Sequence, residues 1–275
     1  MALPTANKEP PEVEGMSTWH AVLLGVLQGL TEFLPVSSSG HLVLAQHFLD
    51  VAAPGLTLEV LVHLGTLVAV VAVFWPQLIA LLTGAVGLRG AEEVRTQRRL
   101  LRNLLIGTVP AAIFGILGAD LLAVAFDSPR LTAWALVVTG CVLFASRRTR
   151  QRTCLGEMDA WEALGIGVAQ AFALVPGLSR SGLTIAAGMA LGLSGRDAAR
   201  FSFLLAIPAI SGACLLDVLR LEGNLVPGAL WAVASAAVAG YLAIRWLLVV
   251  VRSRGLRPFA WYCWVVAAVA LFALR

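Results

Sequence analysis

Apolar residues run along this chain in blocks, not in alternation. Six blocks approach or exceed the roughly 20 residues that a membrane-spanning helix requires: Leu56–Trp75, Asn103–Phe126, Leu131–Ser146, Phe201–Leu219, Val226–Val250 and Phe259–Leu274. Two further apolar regions are interrupted. His20–Leu34 runs into Pro35 and Ser37-Ser38-Ser39-Gly40, then resumes as His41–Leu49. Trp161–Val175 runs into Pro176 and Gly177-Leu178-Ser179-Arg180-Ser181-Gly182, then resumes as Leu183–Leu193. Each half is too short to cross a bilayer comfortably, which predicts a helix–loop–helix that enters the membrane and turns back. Irregular backbone is tolerated at that depth only when buried in protein or lining a polar cavity.

The two broken regions repeat one another. Gly25, Gln28, Ser37, Ser39 and Gly40 match Gly167, Gln170, Ser179, Ser181 and Gly182 at a constant offset of 142. Each half reads as a broken hairpin followed by three spans, and three is odd, so the second copy enters the membrane upside down. Inverted repeats of this kind place their special site near the midplane, where the breaks meet. The predicted fold is therefore an all-α integral membrane protein with six transmembrane helices and two re-entrant hairpins in an inverted-topology repeat. Repeat 1 covers about residues 19–146 and repeat 2 about 160–275, forming one membrane domain over 19–275. Residues 1–18 are polar, proline-containing and acidic, lack the basic start of a secretory signal, and read as a disordered tail.

Composition agrees. Of 275 residues, 59% are hydrophobic and 13% charged, with mean hydropathy +0.86. A soluble domain of this size carries about 25% charged residues, so a lipid-facing exterior is the simplest reading. The net charge of +4 does not form a basic domain, which excludes nucleic acid as a partner. Its arginines sit between the apolar blocks, where membrane orientation is set. With Leu56–Trp75 running inward, Arg89, Arg95, Arg98, Arg99, Arg102, Arg147, Arg148, Arg150, Arg152, Arg196, Arg200, Arg252, Arg254 and Arg257 are all cytoplasmic. Lys8, Arg130, Arg220 and Arg275 stay opposite, and both termini lie outside. Arg245 reaches the inner surface by snorkelling. The four cysteines show no ligand spacing, so neither a disulfide framework nor a zinc site is implied.

One basic residue remains unplaced. Arg180 sits at the tip of the second broken hairpin, where a charge costs about 2.5–3.5 kcal/mol on insertion scales and marks function by default. A structural ion pair with Glu32 is the plain alternative. Yet Gly177, Ser179, Ser181, Gly182 and Thr184 surround Arg180 at the start of a helix, where backbone N–H groups attract anions. A guanidinium fork also suits phosphate oxygens. The first hairpin presents Gln28, Thr31, Glu32, Ser37, Ser38, Ser39 and His41. Gln28 and Glu32, spaced i, i+4, share one helix face and offer hard oxygen ligands for Mg²⁺ or Ca²⁺ held jointly with a phosphate. Ser38 and His41 are both candidates for nucleophile or proton transfer, and spacing does not choose between them.

At these residues the chain resembles a known family. Gln28-Gly29-Leu30-Thr31-Glu32-Phe33-Leu34-Pro35-Val36-Ser37-Ser38-Ser39-Gly40-His41 is similar to the (E/Q)xxxE-plus-serine motif of bacterial undecaprenyl-diphosphate phosphatases of the bacitracin-resistance type. Pro176-Gly177-Leu178-Ser179-Arg180-Ser181-Gly182-Leu183-Thr184 resembles that family's PGxSRSxxT motif. The resemblance extends from Trp19 to the C-terminus. It implies hydrolysis of a C55-isoprenyl diphosphate to the monophosphate and phosphate, recycling the lipid carrier for peptidoglycan and other envelope polymers. It also implies a divalent cation and a multi-pass protein of the bacterial inner membrane with its active site facing the periplasm. By motif match, Glu32 and Gln28 assist the metal or activate the nucleophile, and Arg180 binds diphosphate. Ser179, Ser181 and Thr184 bond phosphate oxygens, together with Ser37 and Ser39, while Ser38 and His41 remain the nucleophile or proton-transfer candidates. Gln28 stands where many members carry glutamate, which places the main carboxylate role on Glu32. A homodimer is left open.

Other polar residues read more plainly. Glu59 and His63, i, i+4 on the first span, face one way and either support the first hairpin or form an interior pair. Asp120, Asp127 and Asp217 fall near outer ends as solvated caps, and Trp75, Trp134, Trp161 and Trp261 form an aromatic belt. Three rivals remain. A transporter or lipid flippase fits the repeat but needs no nucleophile. An acid-phosphatase-like lipid phosphatase needs KxxxxxxRP and SRxxxxxHxxxD stretches, which are absent. A purely structural subunit leaves Arg180 unexplained.

Overall fold

A computed structural model describes residues 18–49, 56–146, 153–218 and 228–275. Eleven helices follow in order among them: α1 (Thr18–Phe33), α2 (Ser38–Leu49), α3 (Leu56–Ala85), α4 (Ala91–Leu117), α5 (Ala119–Phe126), α6 (Pro129–Ala145), α7 (Ala160–Phe172), α8 (Arg180–Ala190), α9 (Gly195–Val218), α10 (Ala229–Ser253) and α11 (Arg257–Ala273). The described residues contain no strand beyond an isolated bridge between Thr153 and Leu193. Residues 1–17 of the predicted tail, Arg220 and the arginines at 147–152 lie outside the described residues, whereas Thr18 opens α1.

The protein is a multi-pass membrane protein. α3, α4, α9 and α10 are each long and apolar enough to cross a bilayer, and the bent pair α5–α6, meeting at 98°, would make a fifth span. Their outer faces carry large apolar side chains at helical spacing. Leu105, Val109, Ile113 and Ile116 line one face of α4, and Leu242, Trp246 and Val249 one face of α10, all about half exposed or more. Such stripes fit hydrocarbon, not water. Trp75, Trp134, Trp161 and Trp261 are all exposed, as an interfacial belt requires.

Two boundaries differ from the sequence reading. The expected arginine-rich loop from Pro76 to Arg102 is almost wholly helical, because α3 continues to Ala85 and α4 begins at Ala91. Apolar runs mark only the part of a helix inside hydrocarbon. Ala91, Glu92, Glu93, Arg95, Gln97, Arg98 and Arg99 are strong helix formers, so the helix extends beyond it. The expected span Asn103–Phe126 is split at Gly118, where α4 ends and α5 starts.

α1, α2, α7 and α8 measure about 24, 18, 20 and 16 Å at 1.5 Å per residue, each short of a hydrocarbon core of about 30 Å. They are held by close backbone packing. Along α1, Gly25 and Gly29 lie against the carbonyls of Ala232 and Ala236 on α10, where a Cβ would overlap them. Gly167 on α7 meets the Gly107 backbone of α4 in the same way. This is the small-residue packing that replaces hydrophobic drive between helices in lipid. Phe33, at the end of α1, is fully buried and meets Phe203 of α9 edge-to-face at 5.7 Å.

Between α7 and α8, Gly177 takes φ +91, and a Cβ there would collide with the Thr132 carbonyl of α6. Left-handed backbone costs a non-glycine residue roughly 1–2 kcal/mol before any collision is counted. Gly177→Ala is therefore expected to lower the thermal midpoint in detergent by at least about 4 °C, at roughly 2–4 °C per kcal/mol. An unchanged midpoint would show that this break is free to rearrange.

Candidate functional site

The two helix breaks touch. A Cβ on Gly40 would stand 3.0 Å from the Gly177 Cα, so the first turn of α2 packs directly on the second break. Each break is also tied to the bundle. The Thr139 hydroxyl of α6 donates to the Gly177 carbonyl at 2.8 Å and accepts from the Ser179 N–H at 3.2 Å. The Cys263 thiol of α11 donates to the Pro35 carbonyl at 3.7 Å. The Ser181 hydroxyl joins the hairpins by donating to the Leu34 carbonyl at 3.0 Å.

Local sequence dictates both helix starts. Ser37 and Ser179 accept from the N–H groups of Gly40 and Gly182 at 3.2 and 3.1 Å, as N-cap side chains do. Ser37 adopts φ +68, a conformation that costs a non-glycine residue and persists only where its surroundings hold it. Here it aims the Ser37 carbonyl at the His41 N–H (3.2 Å) and at His41 Nδ1 (2.8 Å).

The charged centre is the pair predicted at the two tips. Arg180 Nη2 donates to Glu32 Oε1 at 2.6 Å, and their side chains are only 15% and 9% exposed. The other carboxylate oxygen, Oε2, accepts from the Ser38 hydroxyl at 2.7 Å and from Gln28 Nε2 at 3.0 Å. Gln28 is fully buried, and its Nε2 also lies 3.2 Å from His63 Nε2. His63 Nε2 is 4.0 Å from Glu32 Oε2. The plain ion-pair alternative is thus formed, but it does not exhaust the site. Arg180 Nη1 and Gln28 Oε1 are buried without a hydrogen-bond partner, and such groups cost free energy unless something else satisfies them.

A cavity of about 40 Å³ opens here, lined by Thr31, Glu32, Ser37, Ser38, Ser39, Ala173, Leu178, Ser179 and Arg180. It is smaller than the roughly 300–1,000 Å³ of pockets that enclose a drug-sized ligand, so it suits a compact polar group. Hydroxyls and a guanidinium with a free donor nitrogen make its wall suited to an anion.

Not every predicted residue faces this cavity. The Thr184 hydroxyl, expected to bond phosphate, is fully buried and donates to the Arg180 carbonyl at 2.6 Å, with Ser202 Oγ beside it at 2.7 Å. Ser181 is engaged with Leu34 as described. His41 is turned towards α11, where Nε2 meets the Tyr262 hydroxyl at 2.8 Å and the rings stack at 5.6 Å. Because the Ser37 carbonyl can only accept, Nδ1 carries a proton. In the neutral ring Nε2 therefore accepts from Tyr262. Tyr262 and Thr139 escaped the sequence reading, since nothing local distinguishes them from span residues. The predicted Glu59–His63 pair is not decided, because the Glu59 side chain lies outside the described residues.

Comparison with known proteins gives a consistent picture. The family model described as bacitracin resistance protein BacA matches residues 21–269. A Syntrophotalea carbinolica protein named undecaprenyl-diphosphatase is 47% identical over 255 residues, covering 91% of this chain and 96% of its own. A protein of the same name from Moorella thermoacetica is 42% identical over 265 residues, covering 94% and 100%. A third, from Rubrobacter xylanophilus, is 44% identical over 259 residues, covering 90% and 95%.

Proposed function

The chain belongs to the bacitracin resistance protein BacA family, and from that premise we propose that it carries out its family's dephosphorylation of undecaprenyl diphosphate in the cavity between the two helix breaks. The protein is a membrane phosphatase that releases phosphate from an isoprenyl diphosphate lipid and leaves the monophosphate. The observation that carries the site assignment is the buried, unpartnered Arg180 Nη1 beside the Ser38–Glu32 contact.

In this mechanism Arg180 holds the diphosphate, with the Ser37, Ser39 and Ser179 hydroxyls around it. Ser38 Oγ attacks the terminal phosphorus. Its proton passes to Glu32 Oε2 along the 2.7 Å hydrogen bond, and the bond to the bridging oxygen breaks, so the lipid monophosphate leaves with that electron pair. Water then attacks the phosphoserine phosphorus and the bond to Ser38 Oγ breaks, with Oγ taking back the proton held by Glu32 while the protons of the water leave with the inorganic phosphate. Ser38 is preferred over His41 because its hydroxyl already meets a carboxylate in the cavity wall, whereas both His41 nitrogens are engaged elsewhere. His41 orients the α2 start through the Ser37 carbonyl. Ser181 and Thr184 hold the second hairpin in place.

A divalent cation fits this donor set. Glu32 supplies a carboxylate, and Gln28 Oε1 is a buried acceptor with no protein donor. No group of three or more His, Cys, Asp or Glu gathers as a ligand set among the described residues. The ion would therefore be shared with substrate oxygens, as Mg²⁺ commonly is. When bound it would offset diphosphate charge as the phosphoryl group transfers.

The inverted repeat with two re-entrant hairpins and six spans belongs to the same proposal. Reciprocal packing supports it: α1 lies on α10 as α7 lies on α4, and α3 meets α9 as α6 meets α11. The arginine distribution supports a cavity open to the periplasm of a bacterial inner membrane, with one membrane domain over 19–275. The C55 tail stays in lipid outside the small cavity. Withdrawing it into water would cost about 0.8 kcal/mol per CH₂.

Purified protein in detergent is expected to release phosphate from a C55 diphosphate when Mg²⁺ or Ca²⁺ is present, and to stop when a chelator removes the ion. Release undiminished by chelation would remove the metal from the mechanism. Lipid movement without phosphate release would favour a flippase.

A further inference from the structure

Building on the proposed cation shared with a diphosphate, we infer that His63 is a third protein ligand of that ion, completing a site with Glu32 and Gln28. His63 stands on α3 where that helix packs against α1, facing the turn that carries Gln28 and Glu32. Three atoms converge there: Glu32 Oε2, the inward nitrogen of the Gln28 amide and His63 Nε2. Their separations are 3.0, 3.2 and 4.0 Å. A point about 2.0 Å from each corner lies in the plane of that triangle and equidistant points above the plane lie farther out, so the space admits Mg²⁺ at about 2.0–2.1 Å and, off the plane, Ca²⁺ at about 2.3–2.6 Å.

The Gln28 amide lies between the Glu32 carboxylate and the His63 ring. Its Nε2 donates to the Glu32 carboxylate and meets the His63 ring, while Oε1 is buried with no donor. A half-turn of the amide brings Oε1 to the inward position. With Nε2 of His63 unprotonated, three lone pairs then converge on one point, as cation ligands do. Glu32 Oε1 stays on Arg180 throughout, so one carboxylate joins the guanidinium to the ion. An imidazole among oxygens also raises affinity for Mn²⁺ and Co²⁺ relative to an all-oxygen site.

Three protein ligands should bind an ion without substrate, which two would do poorly. The test is Mn²⁺ titration of the purified protein without lipid, followed by pulsed EPR. Wild type is expected to bind one Mn²⁺ with imidazole nitrogen coupling. His63→Leu should lose the coupling and weaken Mn²⁺ at least tenfold. His63→Gln, which keeps a hydrogen-bonding side chain, should recover most of the affinity without the coupling, separating ligand loss from misfolding. Mg²⁺ or Ca²⁺ should displace the bound Mn²⁺, and a signal that neither ion displaces would overturn the site. Unchanged coupling or affinity in His63→Leu, with binding lost in Glu32→Gln, would overturn the role of His63 and leave the shared-cation reading standing. Metal-dependent phosphate release without lipid-free Mn²⁺ binding would do the same. Absence of both would overturn the two together.

Discussion

Arg180→Ala is expected to lower kcat/KM for a C55 diphosphate by about a thousandfold. The guanidinium is the described cation at the cavity, and one of its nitrogens already neutralises Glu32 while the other awaits an acceptor. Removing a single preorganised donor at a site of developing negative charge costs about 10²–10³ in rate, and here a full charge goes with it. Arg180→Lys keeps the charge but not the fork, so an intermediate loss of about ten- to a hundredfold is expected. Breaking a buried pair also destabilises, by about 3–5 kcal/mol when one partner is left alone. Glu32 would still keep the Ser38 and Gln28 hydrogen bonds, so the fold should survive. Phosphate release is therefore to be read beside the thermal midpoint. Full activity in folded Arg180→Ala protein would remove Arg180 from the site.

Ser38→Ala should cost at least about a thousandfold, because loss of a nucleophile removes the covalent route altogether. Its hydroxyl is small and sits at the first position of α2, so alanine should be accepted there. His41→Ala should cost less, about ten- to a hundredfold, since the ring faces Tyr262 and the Ser37 carbonyl instead of lining the cavity. Rapid quench of wild type during turnover in denaturant at neutral to mildly alkaline pH, followed by mass spectrometry, is expected to find phosphate on Ser38. Phosphate on His41, or the reverse ranking of the two variants, would return the nucleophile to the histidine.

The parts of this molecule that violate membrane chemistry were legible without coordinates. Ser37-Ser38-Ser39-Gly40 and Ser179-Arg180-Ser181-Gly182 interrupt hydrocarbon-grade runs, and the repeat offset pairs them. Their meeting, and the closeness of Glu32 to Arg180, followed from that pairing. The pattern offered the ion pair and the anion site as alternatives, whereas the structure contains the pair together with a spare guanidinium nitrogen. What escaped depends on which faces pack together. Thr184 turns away from the cavity because its face of α8 meets Ser202 of α9. Tyr262 reaches His41 across 221 positions, a contact no local pattern encodes. The extension of α4 to Ala91 is not marked by hydropathy, because helix propensity continues where hydropathy stops.

The central claim is that the two helix breaks form one site through Glu32 and Arg180. A double-mutant cycle on phosphate release, using Glu32→Gln, Arg180→Ala and the combination, tests it most directly. If the two tips act as a unit, the double variant should be no slower than the slower single variant, within about threefold. Losses that simply multiply would mean that the tips act independently, and the shared site would be contradicted.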